Sequence, residues 1–305
     1  MNDARQLEPV LESCRARWGD GPDTARRLFH GRGHCYPGLE DLVVDRFGDN
    51  LLVGCFGDNI SRARLLATLL PDEFEGVAGV AVQQRQGRGT RAEVIFGEVA
   101  EELVVEEAGL RYLVQPLLNQ NVGLFLDMAP TRHWLRTAAE NKRVLNLFAY
   151  TCAFSVVAMA GGAASVVNND MSKPSLDWGR KNHTLNDHDL RQVSMLPHNL
   201  FKSWWKIREY GPYDIIIIDP PTNQRGSFNA EKQYGQVLKR LQEFAAPGAE
   251  IIACLNSPFL NTDFLPGQMA RWCPKASLLE TMPVSADFPE QFPDRGLKIY
   301  RFRYA

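Results

Sequence analysis

Apolar and polar positions follow two different rhythms along this chain. In the first third, apolar residues come in short runs cut by glycine and aspartate. Residues 42–47, 50–56, 79–83 and 92–96 each read as a strand of the kind that alternates faces. Phe47-Gly48-Asp49-Asn50 reads as the hairpin turn between the first two. Residues 60–70 have helical spacing, and Pro71 is expected to close that helix. Ahead of them, Leu7, Val10, Leu11 and Cys14 fall on one helical face within residues 3–18, and Gly19-Asp20-Gly21-Pro22 ends it. Residues 109–118 add a further strand and turn.

Beyond residue 118 the rhythm changes to strand, loop, helix, strand. Residues 144–148 are a short apolar run suited to a buried parallel strand. A loop of small and polar residues covers 149–153. Residues 154–160 repeat with helical period and stop at Gly161-Gly162. Ser165-Val166-Val167 begins a second strand that ends at Asp170. The same alternation continues with a helix over 173–186, opened by Pro174, and a strand over 192–196. A helix over 200–207 precedes a strand at Tyr213-Asp214-Ile215-Ile216-Ile217-Ile218. A helix over 233–245 and strands at 250–255, 276–279 and 298–303 complete the chain, the last two as an antiparallel finish. This is the pattern of an α/β fold, a Rossmann-like doubly wound sheet behind a smaller N-terminal α+β domain. The expected division is a helical arm at 1–27, a mostly β domain at 28–118, and the doubly wound domain at 119–305.

Two acids stand where such a sheet binds ligands. Asp170 closes the second strand, roughly 20 residues beyond the first loop, where a carboxylate reaches a ribose diol. Asp219 follows the four isoleucines directly and is itself followed by Pro220-Pro221. The first loop has no G-x-G-x-x-G, so it offers no backbone cradle for a pyrophosphate, which argues against NAD or FAD.

Four segments carry a resemblance. They are residues 120–127 (QNVGLFLD), 144–155 (VLNLFAYTCAFS), 166–172 (VVNNDMS) and 219–228 (DPPTNQRGSF). In order and spacing they resemble the bacterial large-subunit ribosomal-RNA methyltransferases, class I enzymes that use S-adenosylmethionine (SAM). That group includes a cytosine-C5 enzyme and the guanine-N7 half of a bifunctional enzyme. The likeness extends upstream through Tyr36-Pro37-Gly38-Leu39 and residues 43–49. It implies a SAM-dependent methyltransferase acting on a base of ribosomal RNA. It implies cofactor contacts from Phe125, Asp127, Arg132, Asn146, Phe148, Ala149, Tyr150, Thr151, Asp170, Met171, Ser172, Asn199, Leu200 and Asp219. Arg132 is a candidate for the cofactor's carboxylate, with a surface arginine as the other reading. Asp219, Pro220 and Pro221 would face the sulfonium and the target base, which must be unstacked to arrive there.

The chain departs from the family in three places. Cys152-Ala153 stands where two glycines are usual, so side chains are expected to narrow the approach to the cofactor. Asn199 replaces an acid, though its carbonyl still accepts a hydrogen bond from an adenine amino group. Thr222-Asn223 follows the prolines where an aromatic often stacks on the base. The target atom follows from a fourth position. Carbon 5 of cytosine needs a thiolate to add at carbon 6. By the resemblance that thiol would stand at Asn256, and Cys254 two residues earlier is expected to point into the core. A nitrogen target is therefore favoured. A non-catalytic RNA-binding or ribosome-assembly protein on the same scaffold, and a methyltransferase with a non-RNA substrate, remain open.

Composition narrows this modestly. Of 305 residues 45% are hydrophobic, enough for more than one core. The net charge of −2 means that any RNA surface is a local patch, with Arg85, Arg88 and Arg91 of the 83–91 loop and the arginines at 5, 15, 17, 26, 27 and 32 as candidates; a hairpin tip and a solvated helix face are the other readings of the two stretches. Trp178 and the Trp204-Trp205 pair read as packing. Six cysteines without a CxxC pair read as reduced, and six histidines without an HExxH motif are read as giving no metal site. No apolar run suits a bilayer and no signal sequence opens the chain, so a cytoplasmic protein of unspecified oligomeric state, without a membrane partner, is expected.

Overall fold

The computed structural model describes residues 5–19, 24–85, 91–221, 223–224 and 228–305. The chain divides into two compact units, residues 1–129 with 285–292, and residues 130–284 with 293–305.

In the first unit, helix α1 (Glu8–Arg17) is followed by strands β1 (Ala25–His30), β2 (Leu42–Phe47) and β3 (Asn50–Cys55). Helix α2 (Ile60–Glu73) then leads to β4 (Gly79–Gln84) and β5 (Arg91–Gly97). The five strands form one sheet in chain order, antiparallel except for the β3–β4 pair that α2 bridges. Strands β6 (Leu103–Glu107) and β7 (Leu110–Val114) make a separate hairpin. Leu7, Val10, Leu11 and Cys14 bury against Leu28, Val44, Val53, Leu66 and Leu70, so one apolar core joins α1, α2 and the sheet.

The arginine-rich stretch before residue 30 makes ion pairs within the unit. It contains β1, whose Arg27 pairs in register with Asp45 of β2 and forms a buried ion pair with it. Arg17 and Arg26 both meet Asp287, and Arg15 bridges Glu8 and Glu73. These charges are spent on holding the unit together. Helix α2 also runs through Pro71 instead of stopping there. A proline in the last turn removes one backbone bond only. Just beyond it Phe74 stacks on Trp18 with ring centroids 4.1 Å apart. Residues 86–90 lie outside the described residues, Arg88 among them. Arg85 lies over the Phe56 ring at 5.2 Å, and Arg32 lies over the same ring at 4.0 Å.

The second unit takes helix α3 (Ala129–Ala138) from Pro130 onward and then alternates as the sequence pattern predicts. The order is β8 (Arg143–Leu147), α4 (Ala153–Ala160), β9 (Ser165–Asp170), α5 (Lys173–Leu185), β10 (Val193–Pro197), α6 (Trp204–Tyr210) and β11 (Tyr213–Ile218). A two-residue pair, β12 (Asn223–Gln224) with β13 (Phe228–Asn229), precedes α7 (Ala230–Arg240). Then come β14 (Ala245–Asn256), α8 (Phe264–Trp272), β15 (Ala276–Thr281) and β16 (Leu297–Tyr304).

The seven long strands form a sheet in the order β10-β9-β8-β11-β14-β16-β15. The first five are parallel, and β16 runs antiparallel to both neighbours, giving the expected antiparallel finish. The strand order reverses between β8 and β11. Their carboxyl ends form the crevice where open α/β sheets take ligands. Ile215–Ile218 are all buried because helices cover both faces. The helix expected over 200–207 is split by Ser203 into a 3-10 turn, Leu200–Lys202, and α6. Of the tryptophan pair, Trp204 packs in parallel on Phe244, while Trp205 is 51% exposed and does not belong to the core.

Candidate functional site

The carboxyl edge of β8, β9 and β11 is built around a loop in which three non-glycine residues have left-handed backbone. Phe148, Tyr150 and Cys152 have φ of 60°, 46° and 63°. Such conformations persist only where the surroundings over-determine them. Here the Ala149 amide donates to the Asn169 carbonyl at 3.0 Å, and the Cys152 amide to the Ala149 carbonyl at 2.8 Å. The Tyr150 amide donates to Asp170 Oδ2 at 2.9 Å.

Asp170 is thus at once the expected ribose acid and the organiser of the loop. Its Oδ1 accepts from the Ser172 amide at 2.8 Å. Each carboxylate oxygen keeps a lone pair free of these bonds, and the residue is only partly buried. Ser172 caps α5 by accepting from the Ser175 amide. Met171, between them, is 50% exposed on the rim.

Beneath the loop runs a buried polar chain that the sequence reading did not assemble. Asn146 donates to Asn168 Oδ1 at 2.9 Å, and Asn168 donates to Ser155 Oγ at 2.9 Å. Ser155 Oγ meets His183 Nε2 at 2.8 Å, and His183 Nδ1 meets His188 Nδ1 at 3.0 Å. Burial, then the neighbouring His188, lowers the His183 pKa to about 3, so its ring is neutral. Asn146, expected among the cofactor contacts, is 1% exposed and committed to this chain. The signal was present as polar residues inside the strand run SVVNND, where a buried amide needs a partner.

The expectation that Cys152 narrows the approach to the cofactor is corrected by its direction. Its thiol turns back beneath the loop, buried with Ala149 and Leu176 and 3.8 Å from Met195 Sδ. It fills the space left by Gly179 of α5. Burial pushes the thiol pKa up. The backbone, with left-handed φ at Cys152, keeps the loop shape that glycine would have allowed.

On the other side of the crevice Ile218 pairs with Leu147, so Asp219 leaves the sheet beside Phe148. Pro220 is buried and Pro221 half-buried. Residues 222 and 225–227, which fall in the 219–228 segment of the resemblance, lie outside the described residues. Phe148 packs edge-on to Phe228 at 5.1 Å, and Phe228 lies between it, Phe201 and Tyr234. The Tyr234 hydroxyl donates to the Cys254 carbonyl at 2.9 Å and to the Ile218 carbonyl at 3.3 Å, tying together the ends of β11 and β14. Its burial, with Cys254 and Asp219 nearby, raises its pKa well above the ordinary tyrosine value.

The remaining candidates are distributed. Asn199 Oδ1 accepts from the Phe201 amide at 2.9 Å, and Leu200 is 3% exposed in the core. Thr151 is 1% exposed, and its carbonyl accepts from Asn182. Arg132 is buried in the first turns of α3, at 2% exposure, rather than lying on the surface. Phe125 (43% exposed) and Asp127 belong to the first unit, where the Asp127 carbonyl accepts from the Ser285 amide. Cys254 is 1% exposed among the buried residues of β14, as expected, and Asn256 at the strand's end is exposed.

Residues 26–303 match the family model described as S-adenosylmethionine-dependent methyltransferase. The chain is 30% identical over 286 residues to the ribosomal RNA large subunit methyltransferase I of Aeromonas hydrophila, covering 86% of this chain and 72% of that protein. A solved structure from Streptococcus mutans, classed as a SAM-dependent methyltransferase, superposes with a TM-score of 0.89 at 25% identity, covering 99% of this chain and 82% of that one. A second solved chain, classed as a methyltransferase and complexed with SAH, gives a TM-score of 0.87 at 24% identity, covering 99% and 81%.

Proposed function

The chain belongs to the S-adenosylmethionine-dependent methyltransferase family, and from that premise we propose that it methylates a base of large-subunit ribosomal RNA, at a nitrogen rather than at carbon 5 of cytosine. The observation that carries the reading is the pairing of two acids across the strand-order reversal, Asp170 at the end of β9 and Asp219 at the end of β11. Bound SAM supplies a methyl group already activated on a sulfonium. What the protein must add is position and the exclusion of water.

The residues of the crevice fit the cofactor. The Asp170 carboxylate is held by two backbone amides and partly open, so it accepts the two hydroxyls of a ribose without reorganising. With SAM bound, the loop of 148–152 would hold the methionine end, and Met171 and Asn199 would hold the adenine. Asn199 Oδ1 has a second lone pair beyond its bond to Phe201. Asp219 and the Pro220-Pro221 backbone face the incoming base. The resemblance assigns Arg132, of the same unit, to the same cofactor. The proposed methyltransferase domain, residues 119–305, contains the whole second unit.

The nitrogen target is supported by the thiols. Cys152 and Cys254, the cysteines nearest this edge in sequence, are both buried, and Asn256 occupies the exposed strand end. A guanine or adenine nitrogen has a lone pair and needs no covalent activation. The Aeromonas relative's name indicates an RNA of the large ribosomal subunit. A ribosomal-RNA substrate supports a cytoplasmic location. Separately, no helix among the described residues is long and apolar enough to cross a membrane. The test is mass mapping of ribosomal-RNA modifications in a strain lacking the gene. One lost methyl group, restored by the wild-type gene and not by an Asp170→Ala copy, is the expected result. An unchanged map would overturn the reading.

A further inference from the structure

Phe259 is 85% exposed, while every other large apolar residue described is exposed by 51% or less. It stands just past the carboxyl end of β14. That strand pairs with β11, Ile218 opposite Ala253, so the loops that follow the two strands leave the same edge of the sheet. One of those loops begins Asp219-Pro220-Pro221. The other carries Phe259.

The loop that presents the ring is pinned on both sides. On the near side, Lys298 is 4% exposed and directs its ammonium at the Ser257 carbonyl, 2.9 Å away. The same Nζ donates to the carbonyls of Asp294 and Gly296 at 2.6 and 2.9 Å. Ser257 Oγ in turn accepts from the Phe259 amide at 3.3 Å. On the far side, the Tyr300 hydroxyl donates to the Thr262 carbonyl at 2.6 Å. Leu260 and Phe264 anchor the loop into the core, and the Tyr234 hydroxyl holds the last turn of β14 to β11. The buried lysine head thus gathers three carbonyls and keeps a short turn in place, while one aromatic ring is left out of the core on that turn.

A ring in water on a flexible loop is ordinary surface. A ring on a loop fixed in advance binds a flat partner without losing loop entropy on association. The partner at this edge, on the RNA reading, is an unstacked base, which needs an aromatic face to replace the neighbours it left. Thr222-Asn223, after the two prolines, supply no such ring. We propose that Phe259 supplies it, stacking on the target base or its immediate neighbour beside Asp219. This assignment rests on the RNA-methylation reading and adds a substrate-binding residue to it.

The experiment compares the wild type with Phe259→Ala, Phe259→Leu and Phe259→Tyr. Methyl transfer from labelled SAM to large-subunit ribosomal RNA from a deletion strain gives kcat/KM, and calorimetry gives SAM affinity. Losing one base–aromatic stack should reduce kcat/KM for RNA about tenfold or more in the Ala and Leu variants, while Tyr keeps activity to within about threefold. SAM affinity should be unchanged in all three. A Leu variant as active as the wild type would show that an apolar side chain suffices and would overturn the proposal. So would an unaffected Ala variant, or a loss explained by weaker SAM binding. If the wild-type enzyme transfers no methyl to the RNA, the RNA reading falls and takes this assignment with it. Transfer by the wild type with unaltered variants removes this assignment alone.

Discussion

The thiol of Cys152 occupies the room that a side chain on Gly179 would need. A Cβ at position 179 would stand 2.4 Å from Cys152 Sγ and 2.8 Å from its Cβ, closer than any packing allows. The cofactor loop and helix α5 are therefore fitted to each other through this pair. Gly179→Ala is expected to destabilise the protein by about 1–3 kcal/mol and to weaken SAM binding, because the displaced thiol pushes on the loop. The double variant Cys152→Gly with Gly179→Ala moves the bulk to the other partner and should recover most of both losses. Denaturant unfolding and SAM titration of Gly179→Ala, Cys152→Gly and the double variant against the wild type form a double-mutant cycle, and additive effects would show that the pair is not coupled.

Asp170 holds the loop through two backbone amides and, on the proposed reading, also takes the ribose, and substitutions should separate the two duties. Asp170→Asn keeps the shape but turns one acceptor into a donor that faces either the Tyr150 or the Ser172 amide. Each charge-assisted bond lost is worth about 1.5–3 kcal/mol. The expected outcome is at least a tenfold rise in the SAM dissociation constant with a folded protein by circular dichroism. A variant that binds SAM as tightly as the wild type would remove Asp170 from the ribose.

The buried histidine predicts an acid-sensitive fold. His183 is neutral in the folded chain, with a pKa lowered to about 3 first by burial. In the unfolded chain it titrates near 6.5. Between those values the unfolded state binds the extra proton, so stability is greatest above about pH 6.5 and falls as the pH drops toward 3, by up to roughly 1.4 kcal/mol per pH unit. His188, also shifted down by burial, adds in the same direction. Urea unfolding at pH 7 and pH 5 should show this loss. His183→Asn should be less stable at pH 7, since it breaks the bond to Ser155, yet flatter with pH. Equal pH slopes in the two proteins would mean that His183 does not report this burial.

The thiols predict the absence of a covalent intermediate. Cys254 is sealed within β14 and Cys152 beneath the loop, with its pKa raised by burial. Neither presents a thiolate to a base. RNA carrying 5-fluorocytosine, incubated with enzyme and SAM, should yield no protein–RNA adduct on a denaturing gel. An adduct lost in Cys254→Ala or Cys152→Ala would overturn the nitrogen assignment.

The sequence alone determined what depends on neighbours along the chain. The run Ile215–Ile218 had to be a covered parallel strand, and the change from short strands to alternating strand and helix marked the doubly wound sheet. Asp170 and Asp219 were legible because a residue that ends a strand in such a sheet comes out at its carboxyl edge whatever packs around it. Tertiary structure decided what depends on a partner far along the chain. The family glycine position at Cys152 suggested a crowded cofactor loop, but the direction of its thiol was set by a vacancy at Gly179 on another helix. From the sequence, Arg26 and Arg27 read as an RNA arm or a solvated face, and the fold pairs them with Asp287 and Asp45. Asn146 had the sequence place of a ligand contact and was claimed by Asn168 on the next strand. The reason is the same each time. Local pattern fixes which face of an element an average side chain takes, whereas a polar or small residue goes where a specific group satisfies it or leaves room, and only the folded chain brings those groups together.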